Sequence, residues 1–285
     1  MQLRQIGDTK VSAIGLGGMP LSIEGRPDEA QAMATVHAAL EAGVSLIDTA
    51  DAYHLPGVDV GHNESLVARA LSSYGADTSG VLVATKGGHL RTSPDDDWST
   101  DGRPEHLRQA CEDSLRRLGV EAIGLYQFHR PDPDVPYEES VGALRDLLDE
   151  GKIVMAGISN ADPDQIRSAQ EVLGGRLASV QNQFSPAFRS SEPELRLCQE
   201  LGIAFLPWSP LGGIGSAAEL GARNEAFQQV AHEVHATPQQ VALAWELAKA
   251  PVVVPIPGSS RPETIRASAQ ASELVLTQEQ LTRLG

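Results

Sequence analysis

VLVATKGG, at residues 81–88, is a short apolar run that ends on a lysine and two glycines. Apolar runs without polar alternation are typical of strands that are buried on both faces of a parallel sheet. Amphipathic stretches such as EHLRQACEDSLRRLG (105–119) separate these runs and predict helices, here ending on a glycine that suits a C′ position. Seven further runs are VSAIGLG at 11–17, VSLIDT at 44–49, IGLYQFH at 123–129, IVMAGIS at 153–159, LASVQNQ at 177–183, IAFLPWS at 203–209 and VVVPIP at 252–257.

Eight strand–helix units predict an α/β fold, the (β/α)8 TIM barrel. Such a barrel needs about 250 residues, so residues 1–285 are predicted to form one domain, although two small domains would also suit the length. The start MQLRQIGDTKV predicts a short β-hairpin that turns at Gly7–Asp8 and closes the bottom of the barrel. A doubly wound sheet is the alternative, but GLGGMPLS (15–22) lacks the G-x-G-x-x-G spacing which that fold favours.

The composition excludes several kinds of partner. The chain carries 22 lysine and arginine residues against 38 aspartate and glutamate residues, a formal net charge of −16. Nucleic acids and anionic membranes need clustered cations, so neither is expected as a partner. No apolar run is long enough to cross a bilayer, and the polar start lacks the apolar region of a signal peptide, so we expect a cytoplasmic protein. Cys111 and Cys198 lack metal-ligand spacing, which predicts reduced packing residues and no metal site.

Four polar side chains lie at or just beyond the ends of three predicted strands: Asp48, Tyr53, Lys86 and His129. A phenol is a poor acid at neutral pH because its unperturbed pKa is about 10, and a nearby ammonium favours the phenolate. A carboxylate can hold that ammonium, and a histidine can hold a substrate oxygen. The four residues therefore predict a site that protonates a carbonyl group while another group delivers hydride.

Most of the other predicted strands also end on polar residues or glycines. Chemistry in barrels takes place at the carboxyl ends of the strands, so these groups are expected to converge on one rim. A lone buried aspartate or lysine is more often part of a structural ion pair, but packing alone rarely brings several such groups together. The remaining strand ends carry Gly17, Gly18 and Met19, Ser159 and Asn160, Gln181, Trp208 and Ser209, and Gly258 and Ser259.

The motifs at these strand ends resemble those of the aldo-keto reductases, in the family's order and spacing, over essentially the whole chain. The resemblance implies an NADPH-dependent oxidoreductase that reversibly reduces an aldehyde or ketone to the alcohol. It implies Tyr53 as general acid in reduction and general base in oxidation, Lys86 and Asp48 as the pair that tunes the phenol, and His129 as the group that orients the carbonyl. The matching stretches are GLGGMP, LIDTADAYHLPGVDVGHNESLVARAL, VLVATKGG, LRRLGVEAIGLYQFHRPDP, LLDEGKIVMAGISN, VQNQFSP, LPWSPLGG and IPGSSRPETI.

The resemblance also implies a nicotinamide site. Ser159, Asn160 and Gln181 match positions that bind the carboxamide, although a hydroxyl and an amide at strand ends are equally typical of turn caps. Trp208 matches an aromatic residue that stacks on the ring, with an ordinary core tryptophan as the alternative. Residues 209–213 resemble the loop over the pyrophosphate. The implied cofactor-binding residues are Gly18, Met19, Asp48, Ser159, Asn160, Gln181, Trp208, Ser209, Pro210, Leu211, Gly213, Ile256, Gly258, Ser259 and Arg261.

The segment IPGSSRPETIRAS (256–268) resembles the one that binds the adenine and the 2′-phosphate. The chain departs from the family here, because Gly258 stands where many relatives have lysine and Ser268 where many have asparagine. Arg261 remains as a guanidinium able to grip a phosphate bidentately. Ser259 and its neighbour could add hydroxyl donors at the start of a helix, whose dipole favours an anion. We therefore expect NADPH rather than NADH.

Loops above the rim set substrate choice, and two are long here, 54–65 and 89–106. The acidic run at 95–97 (Asp95, Asp96 and Asp97) is predicted to consist of solvated loop charges rather than ligands. Trp98 is predicted as a wall of the pocket, with a loop anchor as the alternative. Some relatives carry a long C-terminal loop over the site, and its absence here predicts an open pocket for a broad or bulky carbonyl compound. The predicted substrate-binding residues are His54, Trp98 and His129.

Three alternatives to a general carbonyl reductase remain. Within the same enzyme class, the substrate could be pyridoxal or a keto-sugar, because the closest stretches resemble bacterial members of the family. From another class, the chain could be a cofactor-sensing subunit that binds a partner and hardly turns over. The third is a metal-dependent barrel hydrolase that uses Asp51, His54 and His129. The expected partner is a small-molecule carbonyl substrate, and the expected state is a monomer or weak homo-oligomer.

Overall fold

A computed structural model describes residues 1–91 and 98–285, so the predicted loop charges Asp95, Asp96 and Asp97 lie outside the described residues. The chain begins with the antiparallel hairpin of strands β1 (Leu3–Ile6) and β2 (Thr9–Ser12). Its turn needs a left-handed residue, which Gly7 supplies with φ 50°. A Cβ atom at Gly7 would lie 2.8 Å from the Sδ atom of Met155. The turn therefore packs tightly against the start of a barrel strand, as the hairpin prediction requires.

Seven parallel strands form the main sheet in the order β11-β10-β9-β8-β5-β4-β3, so neighbours in the chain are neighbours in the sheet. Their single direction places all the carboxyl ends on one rim. Strands β6 and β7 form a separate antiparallel pair that follows β5. The strands are β3 (Leu16–Gly17), β4 (Leu46–Asp48), β5 (Leu82–Gly87), β6 (His89–Leu90), β7 (Ser99–Thr100), β8 (Ile123–Phe128), β9 (Ile153–Ser159), β10 (Leu177–Gln181) and β11 (Ala204–Phe205).

Helices alternate with the strands and cover the outside of the sheet, which gives the predicted (β/α)8 architecture. Several begin with a proline in the first turn after a capping residue; Asp162, for example, forms a capping box with Gln165. The predicted C′ glycine at residue 119 ends its helix with φ 68°. The helices are α1 (Glu29–Glu41), α2 (His62–Ser73), α3 (Pro104–Leu118), α4 (Tyr137–Asp149), α5 (Pro163–Val172), α6 (Glu192–Leu201), α7 (Leu220–Arg223), α8 (Glu225–Glu233), α9 (Pro238–Lys249), α10 (Pro262–Gln270) and α11 (Gln278–Leu284).

The eighth predicted strand, at 252–257, departs from the expectation. Within the described residues the regular sheet stays open between β3 and β11, and this segment joins the two edges through the isolated bridges Phe205–Val253 and Gly17–Gly258. Its side toward β3 only accepts hydrogen bonds: the carbonyl groups of residues 255 and 257 accept from Gly15 and Gly17. Both residues are prolines, which have no N–H to complete a ladder. The barrel is thus continued, but without a regular eighth strand.

The interior of the barrel is filled by apolar side chains from the strands. Leu46, Leu125 and Leu206 are fully buried there, and Ile6 and Val11 of the hairpin belong to the same cluster. Burying one such side chain stabilises the fold by about 1.5–3 kcal/mol, so the hairpin is part of the core and closes the amino-terminal end. Among residues 1–91 and 98–285, no helix is both long enough and apolar enough to cross a membrane.

Both cysteines are packing residues, as the sequence predicts. Cys111 on α3 and Cys198 on α6 are buried, and neither forms a disulfide in the described part of the chain. Burial raises the pKa of each thiol to about 12. Both therefore stay protonated and unreactive at neutral pH.

Candidate active site

A cleft of about 680 Å³ opens at the carboxyl ends of the strands. It runs from the end of β4, past the ends of β8, β9 and β10, to the start of α10. Nearly all the residues singled out in the sequence lie along it. Those that line it are Met19, Asp48, Tyr53, Trp98, His129, Ser159, Asn160, Gln181, Trp208, Ser209, Pro210, Leu211, Gly213, Ile256, Gly258, Ser259 and Arg261.

Lys86 is the centre of the hydrogen-bond network under the cleft. Its side chain is fully buried, and its Nζ donates to Asp48 Oδ2 at 2.7 Å, to the Thr49 carbonyl oxygen at 2.9 Å and to Tyr53 Oη at 3.1 Å. These bonds use all three ammonium hydrogens. Asp48 Oδ1 accepts from Gln181 Nε2 at 2.8 Å. The lysine and the carboxylate are therefore fixed, and the phenol is held against the ammonium.

Strand pairing explains how distant parts of the sequence reach this arrangement. Asp48 is the last residue of β4 and pairs with Ala84 of β5, two residues before Lys86. The turn that carries Tyr53 is tied to β5, because the Thr49 N–H donates to the Ala84 carbonyl at 2.8 Å and the Asp51 N–H donates to the Lys86 carbonyl at 3.3 Å. The turn thus folds back over β5 and brings the phenol onto the lysine.

The electrostatic environment keeps Tyr53 protonated and Lys86 charged. Burial raises the pKa of Tyr53, the positive charge of Lys86 acts against that rise, and the negative charge of Asp48 adds to it. Burial by itself would lower the pKa of Lys86, but the charges of Asp48 and Tyr53 and their hydrogen bonds outweigh it, so the pKa is raised. At neutral pH the pair is therefore a phenol beside an ammonium. The lysine favours the phenolate, as predicted, but its effect is smaller than that of burial.

His129 stands beside the phenol at the end of β8. Its ring lies edge-on to that of Tyr53, with centroids 5.8 Å apart. Burial, followed by the charges of Lys86, His89 and Arg130, holds the pKa of His129 well below its usual range. The imidazole is therefore neutral at physiological pH and offers one N–H donor and one acceptor. Its Nδ1 atom is buried without a hydrogen-bond partner among the described residues.

The residues predicted to hold a carboxamide form a continuous network next to His129. Ser159 Oγ donates to the Gln181 carbonyl oxygen at 2.7 Å, and Asn160 Nδ2 contacts Ser159 Oγ and the His129 carbonyl oxygen, both at 3.0 Å. Asn160 adopts a left-handed backbone with φ 56°, which asparagine tolerates better than most residues. Trp208 is half-buried and lines the cleft, and its Nε1 has no partner within the described chain. The serine and the asparagine do cap the strand ends, while both still face the cleft.

The far end of the cleft is more open. Ser209 and Gly213 adopt left-handed conformations with φ 50° and 98° in the loop above it. The hydroxyl of Ser259 donates to the Arg261 carbonyl oxygen at 2.9 Å, so it caps the turn before α10. The Arg261 side chain is 63% exposed and contacts Glu263 at 3.6 Å. A Cβ atom at Gly258 would lie 2.9 Å from Pro20, so this glycine permits a close approach of two loops.

Three predicted residues, Gly18, His54 and Lys86, are not among the described residues that line the cleft. Gly18 lies against Asn63, whose Oδ1 atom a Cβ atom would approach to 2.6 Å. The His54 ring is buried, with Nδ1 2.7 Å from the Leu55 carbonyl oxygen. Lys86 lies beneath the floor, where its Nζ contacts Asp48 and Tyr53, and both of these residues line the cleft. Although His54 directly follows Tyr53 in the sequence, its ring contacts the Leu55 carbonyl oxygen and does not line the cleft.

The structure adds cleft residues that the sequence reading missed: Glu24, His89, Arg91 and Arg130. Two of them had a recognisable signal, because His89 follows Lys86 by three residues and Arg130 follows His129 directly. Arg91 was marked only by its place in the long loop 89–106, and Glu24 had no signal, since their ion pair joins two loops that are distant in the sequence. Of the three residues of the hydrolase alternative, only His129 lines the cleft. No group of three or more potential metal ligands occurs among the residues that the structure describes.

Comparisons with known proteins identify the family of this chain. Residues 13–285 match the model of the aldo/keto reductase family. The chain is 36% identical over 284 residues to an uncharacterized oxidoreductase of Schizosaccharomyces pombe, covering 98% of this chain and 88% of that protein. It is 36% identical over 279 residues to a 6-dehydroglucose reductase of Novosphingobium aromaticivorans, covering 94% and 89%. An aldo/keto reductase from Klebsiella pneumoniae in complex with NADP and acetate superposes with a TM-score of 0.81 at 27% identity, covering 99% and 93% of the two chains.

Proposed function

The chain belongs to the aldo/keto reductase family, and from this premise we propose that it reduces an aldehyde or ketone to the alcohol with NADPH and with Tyr53 as general acid. Membership makes it an oxidoreductase that acts on carbonyl groups with a nicotinamide cofactor. The identity of the acid and the choice of NADPH are the proposal. One observation carries it: Lys86 Nζ joins Asp48 Oδ2 and Tyr53 Oη beside His129 at the floor of the cleft.

Each residue has a separate task in this proposal. A bound nicotinamide supplies the hydride. The neutral imidazole of His129 donates an N–H to the carbonyl oxygen and so orients and polarises it. Tyr53 transfers its phenolic proton to that oxygen as negative charge develops there, and the Lys86 ammonium stabilises the phenolate that remains. Asp48 keeps the lysine charged and in place. In alcohol oxidation the same groups work in reverse, with the phenolate as base.

The preference for NADPH rests on the exposed end of the cleft. Arg261 directly precedes α10, and its guanidinium is exposed and close only to Glu263 among the described carboxylates. A planar guanidinium can bind a phosphate through two parallel hydrogen bonds. The Klebsiella pneumoniae protein was solved with NADP, which supports the same cofactor here. The residues proposed to hold the cofactor are the predicted cofactor-binding residues that line the cleft: Met19, Asp48, Ser159, Asn160, Gln181, Trp208, Ser209, Pro210, Leu211, Gly213, Ile256, Gly258, Ser259 and Arg261.

Substitution of Tyr53 by phenylalanine tests the proposal. Oxidation of NADPH in the presence of 4-nitrobenzaldehyde is followed by absorbance, and cofactor binding is followed by fluorescence titration. We expect kcat to fall by about 10²- to 10⁴-fold, the usual contribution of a general acid, with the Kd for NADPH unchanged. His232→Phe, at an exposed position on α8, is the matched control. Unchanged turnover in Tyr53→Phe would remove the phenol from the mechanism, and a wild-type protein that binds NADPH without turnover would favour the cofactor-sensing subunit.

A keto-sugar reductase is the second candidate, favoured by the similarity to a protein named 6-dehydroglucose reductase. The pyridoxal alternative stays a prediction. A panel of simple aldehydes, ketones, keto-sugars and pyridoxal, run with NADPH and with NADH, separates these substrates. A kcat/KM for keto-sugars far above that for simple ketones would establish the second candidate.

We also propose that residues 1–285 form one domain, that the protein is cytoplasmic and that it is a monomer or weak homo-oligomer. The packing of the hairpin into the barrel interior supports the single domain. Two free buried thiols are typical of a reducing compartment. Sedimentation of the purified protein measures the oligomeric state.

A further inference from the structure

Three planar side chains stack in a row along one wall of the cleft and end against His129. The Arg91 guanidinium carbon lies 4.5 Å from the centroid of the Trp98 ring. The Trp98 ring stacks on that of His89, with centroids 4.5 Å apart and planes at 28°. The His89 ring then meets the His129 ring edge-on, with centroids 4.8 Å apart. Two imidazoles therefore stand side by side where a carbonyl substrate would bind.

The surrounding structure fixes this stack. His89 opens β6 and pairs with Thr100 of β7, and Trp98 directly precedes β7, so both rings are held by the base of one hairpin. Arg91 Nη2 forms an ion pair with Glu24 Oε1 at 2.6 Å, and Arg91 Nη1 donates to the His54 carbonyl oxygen at 2.8 Å. The guanidinium is thus tied to two other loops. Because His89 is already held in place, less side-chain entropy is lost when a substrate binds to it.

His89 has the chemistry of a binding group. Burial, followed by the charges of Arg130, Lys86 and Arg91, lowers its pKa to about 4. The ring is therefore neutral at physiological pH, with one donor and one acceptor nitrogen. Within the described residues neither nitrogen takes part in a hydrogen bond, and the side chain lines the cleft.

We propose that His89 binds an oxygen on the carbon next to the carbonyl carbon while His129 binds the carbonyl oxygen, so that the site prefers α-hydroxy aldehydes and ketones. Oxygens on adjacent carbons lie about 2.8 Å apart, close to one hydrogen-bond length. Two imidazoles whose centroids are 4.8 Å apart can therefore each reach one of them. The inference rests on the proposed function, because it takes the position of the carbonyl oxygen from the role of His129.

A matched pair of substrates tests it. Hydroxyacetone and butanone have nearly the same size and differ by a hydroxyl in place of a methyl group on the carbon next to the carbonyl. We expect wild-type kcat/KM to favour hydroxyacetone. In His89→Phe, which keeps a flat ring against Trp98 but removes both nitrogens, the hydroxyacetone/butanone ratio should fall about three- to tenfold, the worth of one neutral hydrogen bond. The kcat/KM for butanone should fall less than that for hydroxyacetone.

Further variants distinguish the loss of a hydrogen bond from a general disruption of the cleft. His89→Gln keeps a hydrogen-bonding side chain and should restore part of the ratio. Trp98 acts through His89 as a positioning residue, so Trp98→Phe should keep the ratio and Trp98→Ala should lower it. His232→Phe, outside the cleft, should leave the ratio at the wild-type value.

The outcomes separate the two proposals. If the wild-type protein reduces neither ketone with NADPH or NADH, the proposed function fails. If it reduces both but His89→Phe keeps the wild-type ratio, His89 only packs, and this inference is overturned while the reductase remains. Equal losses on both ketones in His89→Phe, with no recovery in His89→Gln, would overturn it as well.

Discussion

The floor of the cleft and its far end differ in how completely their charged groups are held. Lys86 is fully buried and donates to three fixed oxygens, one of them on a carboxylate. Arg261 is 63% exposed, and its ion pair with Glu263 spans 3.6 Å. The floor is therefore organised before any ligand arrives, as preorganised electrostatic catalysis requires. The far end is the part that a ligand would have to order.

Of the variants that test this difference, Lys86→Met should cause the largest loss of stability. The variant leaves the Asp48 carboxylate buried without its cation, and breaking a buried pair in this way typically costs about 3–5 kcal/mol. Arg261→Ala should change stability by less than about 0.5 kcal/mol, as exposed positions do. The free energy of unfolding from urea titration measures both. Similar losses in the two variants would show that the floor is no more tightly organised than the far end.

The stability of the cleft wall should depend on acidity. Burial lowers the pKa of His89 to about 4, below the usual value of about 6.5, so the unfolded chain binds the proton first. Stability from this group is complete above pH 6.5 and is lost as the pH falls toward 4. Asp51 and Glu246 change the stability in the opposite direction as the pH falls, because burial raises their pKa values well above the usual range. Only a difference between two chains therefore isolates the histidine.

His89→Phe provides that difference. Between pH 7 and pH 4.5, the free energy of unfolding of the wild-type protein should fall by about 2 kcal/mol more than that of the variant. Urea titrations at the two pH values measure this. Parallel pH profiles would mean that the His89 ring is less shielded than the stack with Trp98 implies.

The smallest expected effect concerns the far end. Arg261→Ala should raise the Kd for NADPH about tenfold, or about 1.4 kcal/mol, because a screened, exposed ion pair is worth less than a buried one. The Kd for NADH should change by less than twofold, since NADH lacks the 2′-phosphate. Fluorescence titration with both cofactors measures the two constants. Equal weakening would assign Arg261 to the pyrophosphate or to folding instead.

The strands show how much of the fold the hydrophobic pattern of the sequence could predict. The runs at 123–129 and 153–159 contain the whole of β8 and β9, because buried central strands are continuous apolar stretches. The runs at 203–209 and 252–257 yielded two strand residues and isolated bridges. Prolines at 207, 255 and 257 explain the difference, since each removes an N–H from the ladder. Hydrophobicity predicted where these segments lie, and the backbone chemistry decided how regular they are.

The site also has a part that the sequence predicts and a part that only the structure shows. Asp48 is the last residue of β4, Lys86 is the last but one of β5, and His129 directly follows β8. The parallel sheet therefore brings them to one rim, and their convergence could be predicted from the sequence. His54 lies next to Tyr53 in the sequence but turns away, and His89 comes to lie against His129 through the pairing of two neighbouring strands. No local pattern encodes the direction of a side chain in a turn.

The sequence by itself determined the strand–helix order, the (β/α)8 fold, the family and the set of polar groups at the rim. These properties follow from hydrophobic periodicity and from motifs, which are local in the chain. Only the tertiary structure decided that burial outweighs Lys86 at the Tyr53 phenol and that both His89 and His129 are neutral. It also decided that Arg91, Trp98 and His89 form one stack. Desolvation and stacking depend on which atoms surround a group in space, and distant segments supply those atoms.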